Sequence, residues 1–235
     1  MTAVPLVSVA RPDATFLLAQ LDKLAGWDPR AVVRLQPRAS ALGVFSAPPL
    51  GCIAFVAVPA ARNDAAPDDV MVGVDDLRAE LRAAAGLSPG WPPVPAGSQA
   101  EDTVAFEIRP TQVSSPKLAL LPPRAGWSAT SAGPAASALA DVAEAVDEFR
   151  AASALVADDA ARQDLAERIW GRPGWAELPR RILHAAALLG FLADPGVTVH
   201  AAVAGSWQRL GTPAGQVFAH SAGSSLGLLS LSTVR

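Results

Sequence analysis

The densest recognition chemistry in this sequence lies in one short stretch, where Trp170 and Trp175 flank Gly171-Arg172-Pro173-Gly174. An indole offers a large apolar face and one N–H donor, and a guanidinium adds a charge and a rigid fork of donors. Trp170, Arg172 and Trp175 are therefore the candidate ligand-binding residues. The same types also suit a structural role, with each tryptophan anchoring a loop and donating its N–H to a backbone carbonyl. Four of the six tryptophans, Trp27, Trp91, Trp127 and Trp175, directly follow a glycine, which puts them at turns.

Metal and cofactor chemistry find little to work with. The three histidines are His184, His200 and His220, and none stands at H-x-x-x-H or beside a cysteine at zinc spacing. His200 and His220 fall on strands of one expected meander, where they could approach each other, yet zinc takes at least three protein ligands. No glycine-rich dinucleotide fingerprint and no phosphate loop occurs. The acid pairs at 68–69, 75–76 and 158–159 lack the alternation of a calcium loop, and two of them open expected helices. Asp141, Glu144, Asp147 and Glu148 read as a solvated helix face rather than a cation site. No metal and no cofactor is expected. Cys52 is the sole cysteine and sits in the apolar run Gly51-Cys52-Ile53-Ala54-Phe55, so it reads as a small buried hydrophobe with no internal disulfide.

Two longer patterns bear on function. Ala219-His220-Ser221-Ala222-Gly223 resembles the nucleophile elbow of α/β-hydrolases, with alanine for the first glycine. The resemblance implies an acyl-transfer serine at Ser221, with a histidine as base and an acid orienting it. That family places its acid and histidine after the serine, and Ser224 to Arg235 contain no Asp, Glu or His. His184 or His200 would have to serve instead. The order helix, strand, turn, strand from Pro179-Arg180-Arg181 onward resembles a winged helix and implies DNA reading. Such a helix should display Arg, Lys, Asn or Gln; beyond Arg181 this one offers only His184.

These residues sit on elements that hydrophobic spacing predicts. A helix covers 13–26 with Asp13 as its cap, and strands cover 31–36, 41–46 and 51–58. Residues 59–68 read as a loop, 70–74 as a short strand, and 75–85 as a helix capped by Asp75. Proline crowds residues 87–134, yet Val104-Ala105-Phe106-Glu107-Ile108 alternates like a strand, so this stretch reads as ordered. A long helix is expected over 134–157, striped by Leu139, Val142, Val146, Phe149, Ser153 and Val156. Helices at 158–170 and 179–192 follow, the second apolar nearly all round. Strands come next at 197–203, 206–211 and 216–220, and an edge strand at 226–234. Helix, Asp-Pro, strand, strand, Pro-x-Gly, strand recurs at 13–58 and 179–220, which suggests a pseudo-two-fold repeat.

The background to these patterns is light and weakly charged. About a fifth of the chain is alanine, 51% is hydrophobic, 17% is charged, and the net charge is −3. Such a chain folds around a core and is not disordered. Its charge lacks the basic excess that phosphate neutralisation requires, which argues against nucleic acid. No apolar run approaches the roughly 20 residues that span a bilayer, and no signal peptide is evident, so no membrane role is expected and a cytoplasmic location is. The expected fold is α+β: a mostly antiparallel sheet from two helix-plus-three-strand units, with a helical segment at about 134–192. It reads as one compact domain over 1–235, with 1–120 and 121–235 as candidate sub-halves. The expected function is binding or assembly without catalysis, through a homodimer or a protein partner. A serine hydrolase on Ser221 and a winged-helix DNA binder are the alternatives.

Overall fold

A computed structural model of the chain describes residues 4–86 and 103–220. The fold is α+β with antiparallel pairing throughout the described strands. The chain divides into two compact units, Met1–Pro49 with Ile53–Leu120, and Leu50–Cys52 with Leu121–Arg235.

In the first unit, β1 (Leu6–Ala10) runs straight into α1 (Arg11–Trp27). Strands β2 (Val32–Pro37), β3 (Ala41–Ser46), β4 (Ile53–Arg62) and β5 (Val70–Gly73) follow. Then come α2 (Val74–Ala84), β6 (Thr103–Glu107) and the single-turn α3 (Pro116–Ala119). The strand order is β5-β2-β3-β4, and the far end of β4 carries on through β1 to β6. β4 manages both neighbours by length. Residues 54–59 pair with β3, and residues 60–62 pair with β1. The expected loop at 59–68 therefore begins four residues later, because Pro59 pairs with β3 and the backbone of 60–62 finds partners in β1.

Helices α1 and α2 pack on each other and against β1, β5 and β6. Leu17, Leu21 and Leu24 of α1, Leu77 and Leu81 of α2, and Val7, Val9, Val104 and Phe106 of the strands are all buried. Neither helix is capped as expected. The cap of α1 is Ala10, with Pro12 presetting the first turn and Asp13 inside it. The cap of α2 is Gly73, with Asp75 and Asp76 in the first turn. Both helices grow directly out of strands, so the acids act on the helix dipole rather than as caps. At Gly73 a Cβ would lie 2.8 Å from Asp76 Oδ2, so the Asp76 carboxylate packs closely over this joint.

In the second unit, β7 (Ser128–Pro134) leads into α4 (Ala135–Ser153), α5 (Asp159–Gly171) and α6 (Arg180–Leu189). Strands β8 (Thr198–Ala204), β9 (Trp207–Thr212) and β10 (Gly215–His220) follow. They form the meander β7-β8-β9-β10, with α6 against β9 and β10. The inner face of α4 is Ala135, Ala138, Val142 and Ala145, rotated from the expected stripe. Small side chains bring α4 close to α6, while Val146 and Phe149 pack against Leu165, Ile169 and Trp170 at one flank. Asp158 caps α5 as its position suggests, accepting from the Ala161 N–H at 3.0 Å. Gly190 closes α6 in the left-handed conformation at φ 80°.

Helix-plus-three-strand succession does occur twice, as α1-β2-β3-β4 and α6-β8-β9-β10. The two joints match in detail. Asp28 Oδ1 accepts from Arg30 N–H, and Asp194 Oδ1 accepts from Gly196 N–H, both at 2.9 Å. The next amides, Ala31 and Val197, donate to the carbonyls of Asp28 and Asp194. Each proline prevents the helix from continuing, and each aspartate organises the turn. The Pro-x-Gly segments do not correspond. Residues 49–51 form a 3-10 turn with Leu50 at φ 77°, whereas 213–214 make a tight hairpin turn held by Thr212 Oγ1. The strand expected at 226–234 lies outside the described residues.

Candidate functional site

The stretch between Trp170 and Arg180 is a clasped loop of the second unit. Gly174 N–H donates to Leu178 O at 2.8 Å, and Arg180 N–H to Arg172 O at 2.9 Å. Pro173 and Pro179 form an isolated bridge. One carboxylate fastens both ends: Glu148 of α4 pairs with Arg172 and, at 3.5 Å, with Arg180. Arg180 also meets Glu144 at 3.3 Å and is itself buried. Two of the acids on α4 thus hold a buried arginine, and Asp147 pairs with Arg150 at 2.9 Å. Ala176 and Glu177 adopt φ of 56° and 61°. That region disfavours residues with a Cβ, so tertiary contacts impose this shape.

The three candidate residues take different places. Trp170 is buried, with its ring stacked on His184 at 4.3 Å between centroids and tilted to Phe149 at 5.9 Å. Burial lowers the His184 pKa, and its Nδ1 is buried without a hydrogen-bond partner. Arg172 is exposed beside Glu148. Trp175 is half-buried, its indole set against Gly133 of β7, where a Cβ would lie 3.3 Å from the ring. A cavity of about 380 Å³ lies beside this loop, lined by Gly171, Pro173, Glu177, Arg181, Gln208 and His220 among others. Gln208 and Arg181 carried no sequence signal for it, since strand and helix residues meet there only through the fold.

His220 faces Ser206, with Nε2 to Oγ at 2.7 Å, and Trp207 stands edge-on to its ring. No carboxylate bonds to His220 among the described residues. Ser221, on which the elbow-like motif centres, lies outside them, as does Trp91. His200 and His220 do not meet. The register sets them two strands across and four residues along, roughly 16 Å apart. No group of three metal-ligating side chains occurs among the described residues. Helix α6 cannot lie in a DNA groove, because only Leu188 is exposed along it. Cys52 is buried, with its thiol 3.6 Å from Arg181 O. Among the described residues no helix is long and apolar enough to cross a membrane.

In the first unit the strongest polar cluster is structural. Arg34 donates Nε and Nη2 to the two carboxylate oxygens of Asp69 at 2.6 and 2.8 Å, and Gln36 adds a third donor at 2.9 Å. Arg34 Nη1 reaches Leu118 O at 2.7 Å and so ties down α3. These donors, Arg34 first, lower the Asp69 pKa. A cavity of about 460 Å³ lies between the end of α1 and residues 113–117, with Trp27 on its wall.

This fold is similar to that of solved sliding clamps. The C. crescentus β sliding clamp, crystallised with PEG, matches with TM-score 0.53 and 14% identity over 94% of this chain and 65% of the clamp. The Caulobacter crescentus pol III beta structure matches with TM-score 0.51 and 16% identity over 92% and 64%. The Pseudomonas aeruginosa clamp bound to griselimycin matches with TM-score 0.50 and 12% identity over 93% and 64%. At these identities the likeness is one of fold, and the chain spans just under two thirds of the clamps' length. In sequence, residues 1–101 match the family model of a domain of unknown function, DUF8010, and residues 122–224 match another, DUF8185. No curated protein matches the chain.

Proposed function

We propose that this protein works by binding and assembly in the cytoplasm, without catalysis, on a sliding-clamp-like scaffold. The observation that carries the reading is the fold likeness to sliding clamps over 94% of the chain. Self-association is supported by β7. It pairs with β8 alone among the described strands, and its sequence Ser-Ala-Thr-Ser-Ala-Gly-Pro holds no charge. Uncharged edge strands of this length invite pairing with another chain. The segment that meets a protein partner is the clasped loop, with Arg172 and Trp175 accessible and Trp170 as the anchor beneath.

Native mass spectrometry of the full chain tests the assembly. A multimer is expected, and Ala132→Lys, which places a charge at an exposed position of β7, should shift it towards monomer. A monomer at every concentration would overturn the proposal. The Ser206–His220 contact is the one observation that favours a hydrolase. Labelling by a fluorophosphonate probe, lost in Ser206→Ala or in Ser221→Ala, would support that reading instead.

A further inference from the structure

Strands β8, β9 and β10 align His200, Gly211 and Gln216 in one row. Residues directly opposite one another share a face of the sheet, so His200 and Gln216 stand on either side of a residue without a side chain. A Cβ at Gly211 would meet only His200 O, at 3.8 Å. The row therefore has a notch, with its walls two strand spacings, or about 10 Å, apart. Arg209 and Thr198 lie two residues along their strands on the same face. Thr198, His200, Arg209, Gly211 and Gln216 all line a cavity of about 330 Å³.

The guanidinium of Arg209 lies 4.5 Å from the centroid of the Trp127 ring. Trp127 is fixed in turn by its N–H to Pro123 O at 2.8 Å and by Phe218 at 5.6 Å. Burial lowers the Arg209 pKa, and the side chain stays charged. Arg34, Arg62, Arg78 and Arg180 each hold a carboxylate. Among the described residues Arg209 forms no ion pair and no hydrogen bond, and the side chains of Thr198, His200 and Gln216 form no hydrogen bond. A half-buried cation without a counter-charge, ringed by unused polar groups, is complemented by an anion.

We propose that the notch over Gly211 binds an oxyanion, the phosphate or carboxylate group of a small molecule. Arg209 supplies the charge and the donor fork, held in orientation by Trp127. His200, Gln216 and Thr198 supply flanking donors. Gly211 leaves the space the oxyanion fills.

The test is an NMR titration of the full chain with sodium phosphate and, separately, sodium acetate, at constant ionic strength set with sodium chloride. The His200 ring resonances report occupancy. A saturable shift with either anion is expected, and the preferred anion tells phosphate from carboxylate chemistry. Arg209→Gln should weaken binding about tenfold or more. Gly211→Val should weaken it as much by filling the notch, while the amide spectrum stays folded because the added Cβ has room. If Arg209→Gln does not fold, Gly211→Val alone decides. Non-saturating shifts with both anions, or saturable binding unchanged in the folded variants, would overturn the proposal.

Discussion

Asp69 shows how much a single residue's environment decides. In sequence it is one half of an acid pair, yet its neighbour Asp68 is 71% exposed and meets Arg62 and Arg38 at the surface. Asp69 instead receives the Arg34 fork and Gln36. Replacing it by Asn should cost about 1 kcal/mol in urea unfolding, a modest loss because the pair is partly solvated. Because its folded pKa lies below the ordinary value of about 3.9, its contribution is present above that pH and is lost as pH falls through the lowered value. His184 has the same sign at a higher pH. Burial lowers its pKa, so the unfolded chain binds the proton more readily and stability falls as pH drops below about 6.5. His184→Phe keeps an aromatic ring on Trp170 and should flatten the dependence of Tm on pH between about 6.5 and 5. The turn position of Trp175, directly after Gly174, was legible, and the stack of Trp170 on His184 was not. Nothing in a spacing of fourteen residues says that two rings will meet.

At the scale of elements, helices and strands were read from periodicity and their ends from turn residues. Asp158 behaves as the sequence implies, and Asp158→Ala should lose about 1 kcal/mol of unfolding free energy. Asp13 and Asp75 did not cap, because strands β1 and β5 feed straight into α1 and α2. The clasped loop was legible only as a turn. Its two left-handed residues, Ala176 and Glu177, are held by Glu148 and by backbone bonds across the loop. Ala176→Gly should therefore stabilise the protein by roughly 0.5–1 kcal/mol, measurable as a rise in urea midpoint. Strand β7 escaped the sequence reading altogether. Its small residues, Ser-Ala-Thr-Ser-Ala-Gly-Pro, carry no period, and pairing with β8 alone makes them a strand.

For the molecule as a whole, charge weighs on the choice of partner. The net charge is −3, and α4 carries four acids against Arg150. A clamp-like fold with this surface should bind duplex DNA more weakly than about 10⁻⁴ M at physiological salt, in keeping with a proteinaceous partner. Fluorescence anisotropy with a labelled duplex checks this, and tight, strongly salt-dependent binding would contradict it. By itself the sequence determined what local interactions determine: an α+β chain, antiparallel meanders bounded by Asp-Pro turns, and a core of aliphatic residues. Those features need only neighbours in the chain. The tertiary structure alone decided which side chains share a surface. Gly211 is an unremarked glycine until strand register sets it between His200 and Gln216, and Arg209 is one arginine among many until Trp127 lies beneath it and, among the described residues, no carboxylate pairs with it. Register and packing are relations between distant segments, so no window of sequence contains them.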